Sequence, residues 1–163
     1  DDEEGGRLAA RRFVEKGCTS SVYVSVGTAS CAYDRFMGFK KELESAGAKT
    51  PRILDSMDCF EENFSALFEN SETVPDSFFC FSDMVAFDVI YRLEKMGIKN
   101  AQVIGFDDIQ KEVRIPKRLI SVGTDKRAMA QRAVNVLVSR IEEGRGPRVS
   151  DMFGVYLNGD ILS

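Results

Sequence analysis

Asp107 and Asp108 close the run AQVIGFDD, an apolar stretch that ends in two carboxylates. A carboxylate just past a strand can accept two hydrogen bonds at once, from neighbouring hydroxyls of a sugar or from a nucleobase edge. The same residue can equally cap or bridge within its own loop. Arg35 stands three residues before Gly38, near the start of a helical stretch. A cation is unfavourable at a helix N-terminus, so a buried anionic or hydroxyl partner would account for it, as would a solvated place on the helix face. Ser82-Asp83 follows the apolar run SFFCF, and Asp83 is a good N-cap for the helix beyond it.

Other chemistries are excluded by residue type. The chain has no histidine, which removes Ser-His-Asp and Cys-His catalysis, His metal sites and the usual general base near neutral pH. Cys18, Cys31, Cys59 and Cys80 are 13, 28 and 21 residues apart, so no CxxC pair exists for zinc or redox work. Isolated cysteines at apolar positions read as small core residues, reduced in a cytoplasmic protein. Neither GxGxxG nor GxxxxGK[ST] occurs, which leaves a dinucleotide or P-loop phosphate site unsupported. A divalent metal at Asp107-Asp108, as in receiver-type phosphoacceptor domains, would require Asp58, Asp83 and Lys126 to be forced into place. No acid/base pair or activated nucleophile can be assembled, so the chain is expected to be no enzyme, with no cofactor and no metal.

At 163 residues the chain is about one ordinary domain, long enough to bury a core. Apolar residues make up 44% and charged residues 29%, a globular profile. The 22 Lys+Arg against 26 Asp+Glu leave a net charge of −4, and no basic run exceeds Lys40-Lys41 or Arg11-Arg12. Gripping a nucleic-acid backbone needs a clustered positive face, so this stretch is not expected to bind DNA. No apolar run approaches membrane-spanning length, and no signal peptide is expected. The opening Asp1-Asp2-Glu3-Glu4 lacks a methionine and reads as cut from something longer.

Apolar spacing places these residues on alternating helices and short strands. Helices are expected at about Glu3 to Lys16, Tyr33 to Ala46, Asp58 to Glu69, Asp83 to Met96 and Lys126 to Glu143. Gly17, Gly47 and Gly97 act as stops. Strands are expected at Ser21 to Val26, Arg52 to Leu54, Ser77 to Phe81, Ala101 to Ile104, Leu119 to Val122 and Met152 to Leu157. In the last helix Met129, Ala133, Val134, Leu137, Val138 and Ile141 form the inward stripe. This alternation implies βαβ units and a doubly wound parallel α/β sheet. Such sheets bind ligands at the carboxyl ends of their strands, here Gly27 to Arg35, Asp55 to Asp58, Ser82-Asp83, Phe106 to Asp108 and Gly123 to Asp125.

The order of these segments resembles the regulatory core of LacI/GalR-type transcriptional regulators over nearly the whole chain. The resemblance is carried by YDRFMGFKKELESAG, by FFCFSDMVAFDVIYRLEKMGIKNAQVIGFDDI and by IPKRLISVGTDKRAMAQRAVNVLVSRIEEG. It implies the type I periplasmic-binding-protein fold: two doubly wound (Rossmann-like) subdomains, an effector cleft between them and three crossings of the chain. Residues 1–124 would form the C-terminal subdomain. Residues 125–150 would be a helix of the other subdomain, left without much of its partner surface, and 151–163 would cross back.

The resemblance further implies a cytoplasmic sensor of a small polar effector, most simply a sugar. It implies a homodimer, paired partly through the Met84 to Ile90 helix and the loop after Asp108, and contact with operator DNA only through a preceding helix-turn-helix. Arg35 and Asp107 match the family's effector-binding Arg and Asp. Ser82 stands where a ligand-contacting Asn is usual, and Cys31 where a Ser or Thr often touches ligand. Asp58 lies near the place of a stacking aromatic, and Thr124 at the hinge crossing. The rival reading from another class is a sugar-binding protein of a membrane transporter, which shares the fold. The four cysteines and the wording SDMVAF…GFDD favour the regulators.

Overall fold

Sequence-local signals account for most element boundaries. In the computed structural model, which describes residues 1–69, 74–111, 119–142 and 153–158, α1 spans Asp2–Glu15. The Asp1 side chain caps it by accepting from the Glu4 N–H, with Asp2, Glu3 and Glu4 in the first turn. Acidic residues there complement the positive end of the helix dipole. The helix stops at Gly17, whose φ of 74° suits a residue without a Cβ. Next come β1 (Ser21–Ser25), α2 (Ser30–Ser45), β2 (Arg52–Asp55), α3 (Phe60–Ala66), β3 (Ser77–Cys80), α4 (Asp83–Lys95), β4 (Gln102–Phe106), a 3-10 turn (Ile109–Lys111), β5 (Ile120–Thr124), α5 (Lys126–Glu142) and β6 (Val155–Asn158).

The six strands form one sheet in the order β2-β1-β3-β4-β5-β6, all parallel except β6, which runs antiparallel to β5. Alternation along each strand sends side chains to two cores. Tyr23, Phe79, Ile104, Phe106 and Val122 face α1 and α2, where they meet Ala9, Phe13, Phe39 and Leu43. Val22, Val24, Phe78 and Cys80 face α3 and α4, where they meet Phe64, Ala86, Val89 and Leu93. Both faces of the parallel strands are thus covered, as the apolar run SFFC requires. Arg92 of α4 links the two outer helices by pairing with Glu61 and lying 4.5 Å from the Phe60 ring centroid.

Helices α1 and α2 approach so closely that each offers a glycine to the other. A Cβ on Gly38 would run into the Glu3 carbonyl oxygen, and one on Gly6 would stand 2.6 Å from the Phe39 nitrogen. The contact sets Asp2 of α1 beside Arg35 of α2.

Several expectations shift. Helix α2 begins at Ser30 rather than near Tyr33, which puts Arg35 in the second turn, away from the unfavourable helix end. Ser82, not Asp83, caps α4: its Oγ accepts from the Val85 N–H at 3.4 Å, and Asp83 turns inward. Cys80 is a core residue and burial raises its thiol pKa, but Cys59 is exposed with φ 42°, and Cys18 and Cys31 are half-buried. The stripe on α5 is not inward: Met129, Val134, Leu137, Val138 and Ile141 are all exposed, and the helix buries none of its residues. Met152, Glu143 and the greater part of the loop after Asp108 lie outside the described residues.

Candidate functional site

The carboxyl ends of β4 and β5 open into a cavity of about 350 Å³. Arg35, Asp107 and Thr124 line it together with Asp2, Phe106 and Lys126, and Met129, Phe153 and Val155 supply an apolar side.

Arg35 enters from α2 and is buried. Its Nε donates to Asp2 Oδ1 at 2.7 Å and its Nη1 to the Phe81 carbonyl at 2.5 Å. Its guanidinium carbon lies 3.5 Å from the Phe106 ring centroid and 4.8 Å from that of Phe81. A guanidinium has five N–H donors in a fixed fork, and two of them are engaged by these bonds. Stacking on the rings and ion pairing with Asp2 fix the plane of the fork at the cavity wall.

Asp107 enters from the end of β4. Its N–H donates to the Val122 carbonyl at 2.8 Å, continuing the ladder to β5. Its φ of 102° and the φ of 47° at Asp108 are both positive. Two successive non-glycine residues with positive φ mark strain of the kind concentrated at functional sites. Burial raises the Asp107 carboxyl pKa, the positive charges of Arg35 and Lys126 lower it, and Asp2 raises it again. The half-buried carboxylates of Asp107 and Asp2, the buried guanidinium of Arg35 and the ammonium of Lys126 therefore face a small, partly apolar space. That combination holds vicinal hydroxyls by donating to one and accepting from another.

Under this cavity lie two further carboxylates. Asp83 is pushed up to about 6, first by burial and then by the nearby Asp107 and Asp108 carboxylates, against the bonds it accepts from Ser121 and the Ile109 N–H. Asp108 is buried and accepts from Tyr156, Asn158 and Gln110.

Of the residues singled out from sequence, Arg35, Asp107 and Thr124 share the cavity. Ser82 is used as a helix cap. Cys31, in the first turn of α2, and Asp58, exposed before α3, do not line it. No cluster of three or more His, Cys, Asp or Glu side chains that could hold a metal ion occurs among the described residues. Asp2 has no place in the sequence reading, Phe106 enters it only as the start of a strand-end segment, and Lys126 only in the phosphoacceptor alternative. Strand alternation puts Phe106 on the Ile104 face directly before Asp107; nothing local announces that Asp2 meets Arg35.

Residues 10–153 match the model of the periplasmic binding protein-like domain. The HTH-type transcriptional repressor PurR of Vibrio atlanticus is 28% identical over 152 residues, a match covering 88% of this chain and 45% of the repressor. The chain thus spans under half the length of that relative. A LacI family transcriptional regulator from Enterococcus faecium, solved with bound ribose, superposes with a TM-score of 0.83 at 20% identity, covering 98% of this chain and 61% of that one. A LacI family regulator from Burkhoderia phymatum superposes with a TM-score of 0.77 at 26% identity, covering 96% and 60%. The family model spans most of the sequence, and the relatives and solved structures that this chain is similar to include repressors and LacI family regulators: the chain belongs to the periplasmic binding protein-like domain family.

Proposed function

We propose that this chain is the C-terminal part of the effector-binding region of a LacI-type transcriptional regulator, one wall of a cleft that takes a small polyhydroxylated ligand, most simply a sugar. The observation that carries the reading is the pairing of Arg35 and Asp107 across one cavity at the carboxyl ends of the sheet. Arg35 donates to ligand oxygens from a fork held by Asp2 and Phe106. Asp107 accepts from hydroxyls, and Thr124 adds a donor and acceptor at the rim. No step is catalysed; ligand favours one placement of two subdomains over another, a population shift read out elsewhere in the protein.

The exposed apolar stripe on α5 supports assigning residues 125–150 to the second subdomain, with β6 as the return to the first. Operator DNA is met by a part of the protein outside this chain, in keeping with the net charge of −4. A homodimer in the cytoplasm follows from the same reading, and no described helix is long and apolar enough to cross a membrane. A transporter's binding protein is the weaker reading, since the matched relatives are repressors and regulators.

The test is titration calorimetry on the full-length protein with D-ribose, D-xylose, D-glucose and D-galactose. Binding of one sugar is expected, weakened about tenfold or more by Arg35→Ala and by Asp107→Ala, since a charged hydrogen bond is worth about 1.5–3 kcal/mol. Affinity within about threefold of wild type in both variants would show that the ligand sits elsewhere.

A further inference from the structure

The loop bearing Asp107 is held from beneath by two carboxylates that do not line the cavity. Asp83 and Asp108 are 1% and 2% exposed and lie on either side of Ser121, which is 0% exposed. The Ser121 hydroxyl donates to Asp83 Oδ1 at 2.5 Å and accepts from the Asp108 N–H at 3.0 Å. Asp83 Oδ2 accepts from the Ile109 N–H at 2.8 Å. With the Asp107 N–H on the Val122 carbonyl, the three successive N–H groups of residues 107–109 each have a fixed acceptor. A positive φ at two adjacent non-glycine residues persists only where the surroundings over-determine it, and these three bonds do so.

Asp108 adds a second link. Its Oδ2 accepts from the Tyr156 hydroxyl at 2.9 Å, and its Oδ1 from the Asn158 amide at 2.8 Å and the Gln110 amide at 3.2 Å. Tyr156 and Asn158 belong to β6, the antiparallel strand. Two glycines make room for the arrangement. A Cβ on Gly105 would meet the Asp83 Cα at 3.1 Å, and one on Gly123 would meet both the Asp108 Cβ and the Tyr156 ring at 2.8 Å.

We infer that Asp83 and Asp108, joined through Ser121, are positioning residues that impose the backbone conformation aiming Asp107 into the cavity, and that Asp108 ties that aim to β6. For its functional meaning the inference rests on the reading of Asp107 as an effector-binding residue; the geometry does not. A shift of β6 along β5 pulls on Asp108 and reorients Asp107, so the ligand-reading carboxylate and the antiparallel strand move as one unit.

Hydrogen–deuterium exchange on the full-length protein tests this directly. Ser121→Ala and Tyr156→Phe are each expected to speed exchange of the 107–109 amides at least tenfold, with the amides of β1 and β3 changing less than twofold. Ser121→Thr, which keeps the hydroxyl, restores slow exchange. Unchanged protection of 107–109 in both variants overturns the inference, and so does faster exchange spread evenly over the sheet, which is the mark of a general loss of stability. If Ser121→Ala fails to fold, Tyr156→Phe on the sheet edge decides alone by the same criterion. Titration with the four sugars separates the two readings. If Asp107→Ala binds as wild type does, the site reading fails while the exchange result still decides the positioning.

Discussion

The guanidinium carbon of Arg35 lies 3.5 Å from the centroid of the Phe106 ring, and Phe106 is the residue immediately before Asp107. The ring is also pressed against α1, where a Cβ on Gly5 would stand 2.5 Å from its Cε2 atom. One aromatic side chain therefore supports the cationic and anionic arms of the candidate site and the helix that brings Asp2.

Phe106→Leu removes that platform while keeping an apolar side chain. A loss of about 1–2 kcal/mol in stability is expected from the missing ring and cation–π contact. Sugar affinity should fall at least threefold as the Arg35 fork loses its plane. Urea denaturation and titration calorimetry on the same preparation read the two effects.

Gly38→Ala probes the crossing of α1 and α2. The obstacle is the Glu3 carbonyl, which is backbone and cannot rotate aside. The helices must separate, at a cost of about 1–3 kcal/mol or more. Thermal unfolding should show the loss, and Lys40→Ala, on a half-buried side chain of the same helix, serves as a control with a change within about 0.5 kcal/mol.

Asp83 makes stability depend on pH with a definite sign. Its folded pKa of about 6 lies above the ordinary 3.8, so the folded state binds more protons than the unfolded state between these values. Stability from this group therefore falls as pH rises from about 3 to 7, by roughly 3 kcal/mol in all, and is level above that. Asp83→Asn cannot titrate. The stability difference, variant minus wild type, should grow by that amount between about pH 3 and pH 7. A flat difference in denaturation midpoints would show that Asp83 ionises normally.

The α5 stripe has its own consequence. Leu137 is 59% exposed and Ile141 73%, and a run of exposed apolar side chains marks an interaction site or an aggregation liability. These 163 residues made alone should self-associate in a concentration-dependent way in sedimentation velocity, unless α5 redocks onto the sheet. Leu137→Glu with Ile141→Lys should abolish association beyond a dimer. A monodisperse monomer at high concentration without those changes, with α5 undocked, would count against the stripe as the cause.

Legibility from sequence followed the range of the interaction. The continuous apolar, aromatic run from Ser77 to Cys80 announced a buried strand because residue type acts within a few neighbours. Gly17 and Gly97 announced helix ends for the same reason. Asp83 was legible only as a cap, since the chemistry of an N-cap is local; its real partners, Ser121 and Ile109, lie 38 and 26 residues away. The α5 stripe announced an amphipathic helix and rightly so, but period alone is silent on whether a partner surface is present.

Composition and order along the chain thus carried the parallel α/β class, the absence of histidine chemistry and the candidacy of Arg35 and Asp107, because each depends on residue type or on spacing within one element. Which of the candidates meet was a matter of packing. The Gly6–Gly38 crossing brings Asp2 to Arg35 across 33 residues, and the sheet order brings Asp83, Ser121, Asp108 and Tyr156 under one loop. Those contacts exist only once α1 lies on α2 and β5 lies between β4 and β6, for hydrogen bonds and ion pairs of this reach have no signature in local sequence.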